Sequence, residues 1–188
     1  MRTFNILLSI AFISASIQLS INAEELKGNK TNLHVSQYGE KINKKNLKVG
    51  VKAPNFSAID SNGNKVSLSD FKNKNSVLLV FYPGDSTPTC TKQLCAIRDD
   101  YKDLEKIGIK VFGINQADSQ SHNKFINENK LQFPLIIDKN SEISKAYDCM
   151  GFLGFINRTV VLINKKGDIV FFERGVPDLS PNKLSKLI

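Results

Sequence analysis

The chain has 188 residues, 41% hydrophobic and 23% charged, which suits one domain with a sizeable core and excludes a wholly disordered polypeptide. Three cysteines are too few for a disulfide-stapled scaffold, and two histidines argue against a histidine-rich metal centre. The net charge of +8 comes from lysines interleaved with Asn and Asp, with no basic stripe beside an aromatic ladder, so the charge describes a solvated surface rather than a nucleic-acid-binding one.

The first segment reads as an address. Arg2 supplies a positive start, Ile6 to Ile13 an apolar run, and small and polar residues lead to Ala23 ahead of Glu24-Glu25. This is the pattern of a secretory signal peptide over residues 1–23, cleaved after Ala23 or, alternatively, after Ala15. The alternative of an uncleaved anchor is weakened by Ser9, Ser14, Ser16, Gln18 and Ser20, because a membrane span needs about 20 mostly apolar residues. The expected location is extracytoplasmic, periplasmic or secreted, with no stable membrane association after cleavage. Residues 24–48 are polar and lysine-rich without apolar periodicity and read as a linker, leaving 49–188 for the folded domain.

Within that domain, Phe56 to Asp60 and Lys65 to Leu68 flank Ser61-Asn62-Gly63-Asn64, the signature of a β-hairpin with an Asn-Gly turn. Ser69-Asp70-Phe71 starts a short helical turn. Val77 to Tyr82 is a continuous apolar run of strand length, expected at the centre of a sheet covered on both faces. Leu94, Ile97, Tyr101, Leu104 and Ile107 recur at helical spacing. A strand over Ile109 to Ile114, a helix over Ser119 to Asn129, a strand over Phe133 to Ile137 and a short helix over Ser141 to Tyr147 follow. Thr159 to Ile163 and Asp168 to Phe172 form a closing hairpin, and Ser180-Pro181 opens a last helix. The alternation predicts an α/β fold, a central mixed β-sheet flanked by helices with an N-terminal β-hairpin.

The chemistry concentrates where the central strand feeds the first long helix. Thr87 is a candidate N-cap and Pro88 the first helical residue, so Cys90 falls in the first turn. Free backbone N–H groups and the positive end of the helix dipole favour an anion there, and the anion that Cys90 offers is a thiolate. Cys95 lies five residues on. On one helix the two sulfurs would diverge by about 140° and their Cα atoms would stand roughly 8.6 Å apart. A disulfide needs Cα atoms closer than about 7 Å, so Cys90 and Cys95 could bond only if the first turns unwind.

Pro83, Thr87 and Cys90 fit the peroxiredoxin pattern Pro-x-x-x-Thr-x-x-Cys. The wider run from Phe81-Tyr82-Pro83 through Arg98-Asp99 resembles the bacterioferritin comigratory protein, or peroxiredoxin Q, branch, and the resemblance extends over 49–188. It implies a thioredoxin-like fold and thiol-dependent reduction of hydrogen peroxide and organic hydroperoxides. Cys90 would be the peroxidatic nucleophile and Cys95 the resolving cysteine that closes an intramolecular disulfide, reduced in turn by thioredoxin or a similar dithiol. Thr87 would orient the peroxide, Arg158 would stabilise the thiolate and the developing oxygen charge, and Pro83 would shape the pocket. No metal or organic cofactor is implied, and the branch is expected as a monomer or weak homodimer.

Two features depart from the family pattern. Thr89 stands where glycine or valine is common, and Asp148 to Phe155 is apolar and glycine-rich where a more polar run is expected. Cys149 reads as a packing residue, and His34 and His122 have no partner pattern. A thioredoxin-like disulfide oxidoreductase is a competing reading, disfavoured because its cysteines normally sit at Cys-x-x-Cys spacing. A secreted holdase chaperone of the same fold is another, suggested by the apolar 149–155 stretch.

Overall fold

The computed structural model describes residues 47–188. The segments expected as signal peptide (1–23) and, nearly all of it, as linker (24–48), together with His34, lie outside these residues.

Two short strands, β1 (Ser57–Ile59) and β2 (Lys65–Ser67), pair antiparallel ahead of the main sheet, with Ala58 opposite Val66. The expected Asn-Gly turn lies in a loop over residues 60–64, one residue longer than Ser61-Asn62-Gly63-Asn64. Asp60 organises it: its Oδ1 accepts from the Asn62 and Asn64 amides at 2.9 and 2.8 Å, and the Gly63 N–H closes onto the Asp60 carbonyl at 3.0 Å. A 3-10 turn over Leu68–Phe71 then leads to β3 (Ser76–Phe81).

Every residue of β3 is buried. Successive side chains of a strand point to opposite faces. Leu78 and Val80, with Tyr82 beyond the strand, join one core, and Val77, Leu79 and Phe81 join the other. Burying each such apolar side chain contributes about 1.5–3 kcal/mol, which is why a run without polar alternation is stable only here. The first core includes Leu94, Ile97 and Leu104 of α1 (Pro88–Lys106), packed with Phe125 of α2 (Ser119–Asn129) and Leu184 of α4 (Pro181–Leu184). The second includes Phe56, Val66, Ile143 of α3 (Glu142–Ala146) and Tyr147.

The main sheet has the order β5-β4-β3-β6-β7, with β4 (Ile109–Asn115), β5 (Leu135–Ile137), β6 (Thr159–Ile163) and β7 (Ile169–Arg174). β3, β4 and β5 run parallel, and β6 and β7 add antiparallel. This is the mixed, helix-flanked sheet that the alternation predicts. β5 is shorter than expected, beginning after Pro134, which has no N–H to give a ladder. Ser180 precedes α4, but its hydroxyl bonds the Asp178 carboxylate at 3.3 Å instead of capping the helix.

Gly113 of β4 has a packing reason. A Cβ there would come within 2.5 Å of Leu135 Cδ2 and 3.2 Å of Tyr82 Cε1. Its absence lets Tyr82 settle against the sheet at the point where β3 gives way to the loop of interest.

Candidate active site

β3 ends at Phe81, and residues 82–87 carry the chain to α1, which spans both Cys90 and Cys95. Pro88 occupies the first helical position, as expected. Thr87 is the residue before the helix, with extended backbone, yet its side chain makes no capping bond. The residue is exposed, so its hydroxyl is free for another partner. Pro83 is also exposed at the edge of the loop.

Cys90 stands in the first turn of α1, where helix geometry leaves the backbone amides without carbonyl partners. Its side chain is fully buried. Arg158, one residue before β6, reaches across the sheet and donates from Nη2 to Cys90 Sγ at 3.0 Å. Its Nη1 donates to Gln93 Oε1 at 2.6 Å. Gln93 lies one helical turn after Cys90 on the same face of α1, so the helix presents the thiol and the guanidinium's second anchor together. Sequence reasoning passed over Gln93. The available signal was a polar residue next to Leu94 on the apolar side of an amphipathic helix.

The loop between β3 and α1 is tied down by Asp85, whose side chain is 5% exposed. Tyr82 Oη and Asn115 Nδ2 donate to its Oδ1, each at 2.8 Å. Ser121 Oγ donates to Oδ2 at 2.6 Å, and His122 Nδ1 lies 3.0 Å from the same oxygen. Burial alone would push the Asp85 carboxyl up, but the hydrogen bonds from His122, Ser121 and Tyr82 outweigh it and hold the group down at about 2. Burial and the adjacent carboxylate drive the Tyr82 phenol well above its ordinary range, so it remains a donor. His122 has a partner after all, 37 residues upstream. Asp118 caps α2 by accepting from the Ser121 amide at 2.9 Å, which presents Ser121 and His122 to the loop.

Cys95 is half-buried on α1, and all three cysteines are free thiols. The helix is continuous from Pro88 to Lys106, so Cys90 and Cys95 are not in bonding position in this state. Cys149 lies apart, following α3, with its Sγ donating to the Tyr147 carbonyl at 3.2 Å. Thr89 is exposed on the first turn of α1, beside a groove of about 610 Å³ between α1 and residues 176–180.

The structure therefore brings Cys90 and Arg158 into contact, sets Thr87 and Pro83 on the loop leading to them, and keeps Cys95 on the same helix. A thiol held by a guanidinium at a helix N-terminus is an arrangement for a stabilised sulfur anion and for charge developing on an oxygen beside it.

Comparison with known proteins bears on the family and the fold. Residues 49–172 match the AhpC/TSA family. A chloroplastic peroxiredoxin Q of Triticum aestivum is 41% identical over 122 residues, covering 63% of this chain and 55% of the relative, so the chain spans little more than half of that protein's length. A chloroplastic peroxiredoxin Q of Sedum lineare is 37% identical over 145 residues, 74% of this chain and 76% of the relative. The solved structure of a PrxQ variant from Xylella fastidiosa superposes with a TM-score of 0.68 at 24% identity, covering 75% of this chain and 94% of that one, and establishes the thioredoxin-like fold. The chain belongs to the AhpC/TSA family.

Proposed function

We propose that the protein is a thiol-dependent peroxidase that reduces hydrogen peroxide and organic hydroperoxides through Cys90. The observation that carries this reading is the 3.0 Å contact from Arg158 Nη2 to Cys90 Sγ in the first turn of α1. In the first step the Cys90 thiolate attacks the terminal peroxide oxygen. An S–O bond forms and the O–O bond breaks. The leaving oxygen takes up a proton as water or alcohol, and Cys90 becomes a sulfenic acid. Arg158 supports the thiolate before the attack and the departing oxygen during it, with Gln93 fixing the guanidinium's plane. The Thr87 hydroxyl, free of capping, orients the peroxide between donor and acceptor positions. Pro83 borders the approach and limits water.

Cys95 then attacks the sulfenic sulfur, forming the S–S bond as the S–O bond breaks and water leaves. Because both residues share one helix, this step requires the first turns of α1 to unwind. A thioredoxin-like dithiol exchanges with the disulfide and returns both thiols. The relatives named above are chloroplastic. For this chain the N-terminal pattern supports an extracytoplasmic site, which places the dithiol donor in that compartment, and the protein would act there as a monomer or weak homodimer.

The test is to mix reduced protein with hydrogen peroxide and follow peroxide and thiols together. Rapid loss of both is expected, with Cys90→Ser slower by at least about a thousandfold. Unchanged turnover in Cys90→Ser would overturn the assignment. One observation favours a second reading, a holdase: Phe152, Leu153 and Phe155 are 90%, 77% and 63% exposed on a turn held by the Gly151 N–H to the Phe155 carbonyl. Suppression of client aggregation that survives Cys90→Ser but not Phe152→Ser would support it.

A further inference from the structure

Cys95 has its own charged neighbour. Arg98, one turn further along α1, points Nη1 at Cys95 Sγ from 3.5 Å. The same Nη1 donates to the Asn129 carbonyl at the end of α2 at 2.7 Å. Cys95 Sγ in turn lies 3.7 Å from Asn129 Oδ1, and Asn129 Nδ2 is held by the Phe125 carbonyl at 2.9 Å. The other side of the guanidinium, Nε and Nη2, is paired with Asp99 at 2.9 and 2.7 Å, which fixes its plane. From α2 the thiol's hydrogen-bond partner is the neutral side-chain amide of Asn129. From α1 it meets the Arg98 cation, whose negative partner Asp99 lies on the far edge. The arrangement repeats, at lower burial, the pairing of Cys90 with Arg158.

We propose that Arg98 is a catalytic residue of the second chemical step, stabilising the Cys95 thiolate that attacks the Cys90 sulfenic acid. This rests on the peroxidase reading above. The step balances within the protein. The Cys95 thiol gives up its proton, its sulfur forms the S–S bond, the Cys90 S–O bond breaks, and hydroxide leaves with that proton as water. Cys90 is reduced from sulfenic acid to disulfide while Cys95 is oxidised, so no other reactant is needed. Arg98 holds a positive charge 3.5 Å from the sulfur that must attack as an anion. Its bond to Asn129 keeps that sulfur on α2's side while the Cys90 turn unwinds toward it. The opposite role is a lock, in which Arg98 and Asn129 merely fasten α1 and slow the unwinding. The two roles predict rate changes of opposite sign.

The experiment uses the full-length reduced protein, rapid mixing with hydrogen peroxide, acid quench, and mass spectrometry that separates Cys90 sulfenic acid from the Cys90–Cys95 disulfide. In wild type, sulfenic acid forms at a rate proportional to peroxide, and disulfide follows at a rate independent of it. Arg98→Gln should leave the first phase within about twofold and slow the second about ten- to hundredfold, the loss expected for one charge-assisted hydrogen bond to the nucleophile. The deficit should close at alkaline pH, where the thiolate no longer needs the cation. Arg98→Lys keeps the charge and should stay within about threefold of wild type. A second phase in Arg98→Gln that is unchanged or faster overturns the proposal, as does a deficit that persists at alkaline pH or is equalled by Arg98→Lys. The first phase doubles as a folding control, because it needs the Cys90 site intact. If wild type lacks a peroxide-dependent phase, the peroxidase reading itself fails and this inference falls with it. If Cys95→Ser keeps the second phase, Cys95 is not the resolving residue and Arg98 has no role in the step.

Discussion

Cys90 and Cys149 are both completely buried, yet their surroundings differ in kind. Cys149 donates to a backbone carbonyl, and burial pushes its thiol up to about 12, so it stays protonated at neutral pH. Cys90 receives a hydrogen bond from a guanidinium and sits in the first turn of a 19-residue helix. Removal from water disfavours a sulfur anion in both places; at Cys149 the charge of Arg174 is offset by Asp148 and Asp138, whereas at Cys90 a guanidinium is in direct contact with the sulfur. The comparison teaches that burial alone does not set a cysteine's character: the charge in contact with the sulfur separates the two sites.

The most damaging way to break the comparison is to remove that charge. Arg158→Ala should cost about a hundred- to thousandfold in kcat/KM for peroxide, the effect of losing one donor to the developing charge. Steady-state peroxide consumption measures it, and a loss under about threefold would mean that the guanidinium is not what separates the two cysteines.

Asp85 sharpens the comparison at the level of the scaffold, since it fixes the loop that presents Cys90 but touches neither sulfur. Its carboxyl is lowered on folding, so the resulting stability is present above the unfolded value near pH 4 and is lost as pH falls toward about 2. The loss amounts to about 2 kcal/mol. In Asp85→Asn this part of the acid sensitivity should vanish. Denaturant titrations at pH 5 and pH 2.5 on both proteins check it, and identical pH slopes would show that the network does not contribute. The smallest effect belongs to the other cysteine. Cys149→Ala should leave peroxide turnover within about twofold and cost about 1 kcal/mol in stability, the usual scale for a buried truncation. Loss of activity there would dissolve the distinction.

Much of this was legible from residue order because it is local. The apolar run Val77 to Tyr82 could be stable only at a sheet's centre, and Thr87-Pro88 located the start of α1 and hence Cys90 at its tip. Arg158 is 68 positions from Cys90 and came only through the family pattern. Asp85, Asn115, Ser121 and His122 gave no such pattern. They form a network because β3 and β4 end where α2 begins, and scattered polar residues at such termini carry no trace of their partners. Arg98 was within the recognised run, but its contact with Asn129 depends on how α2 packs on α1. Thr87 shows the reverse failure: its position invited a capping hydroxyl that the folded helix does not use.

The account depends on Cys90 being the sulfur that meets the peroxide. The direct test is to expose the Cys95→Ser protein, reduced, to one equivalent of hydrogen peroxide in the presence of dimedone, and to map the adduct by mass spectrometry. The expected result is a single sulfenic-acid adduct on Cys90, with Cys149 unmodified. An adduct on Cys149 in place of Cys90, or a Cys90 that stays reduced while peroxide disappears, would contradict it.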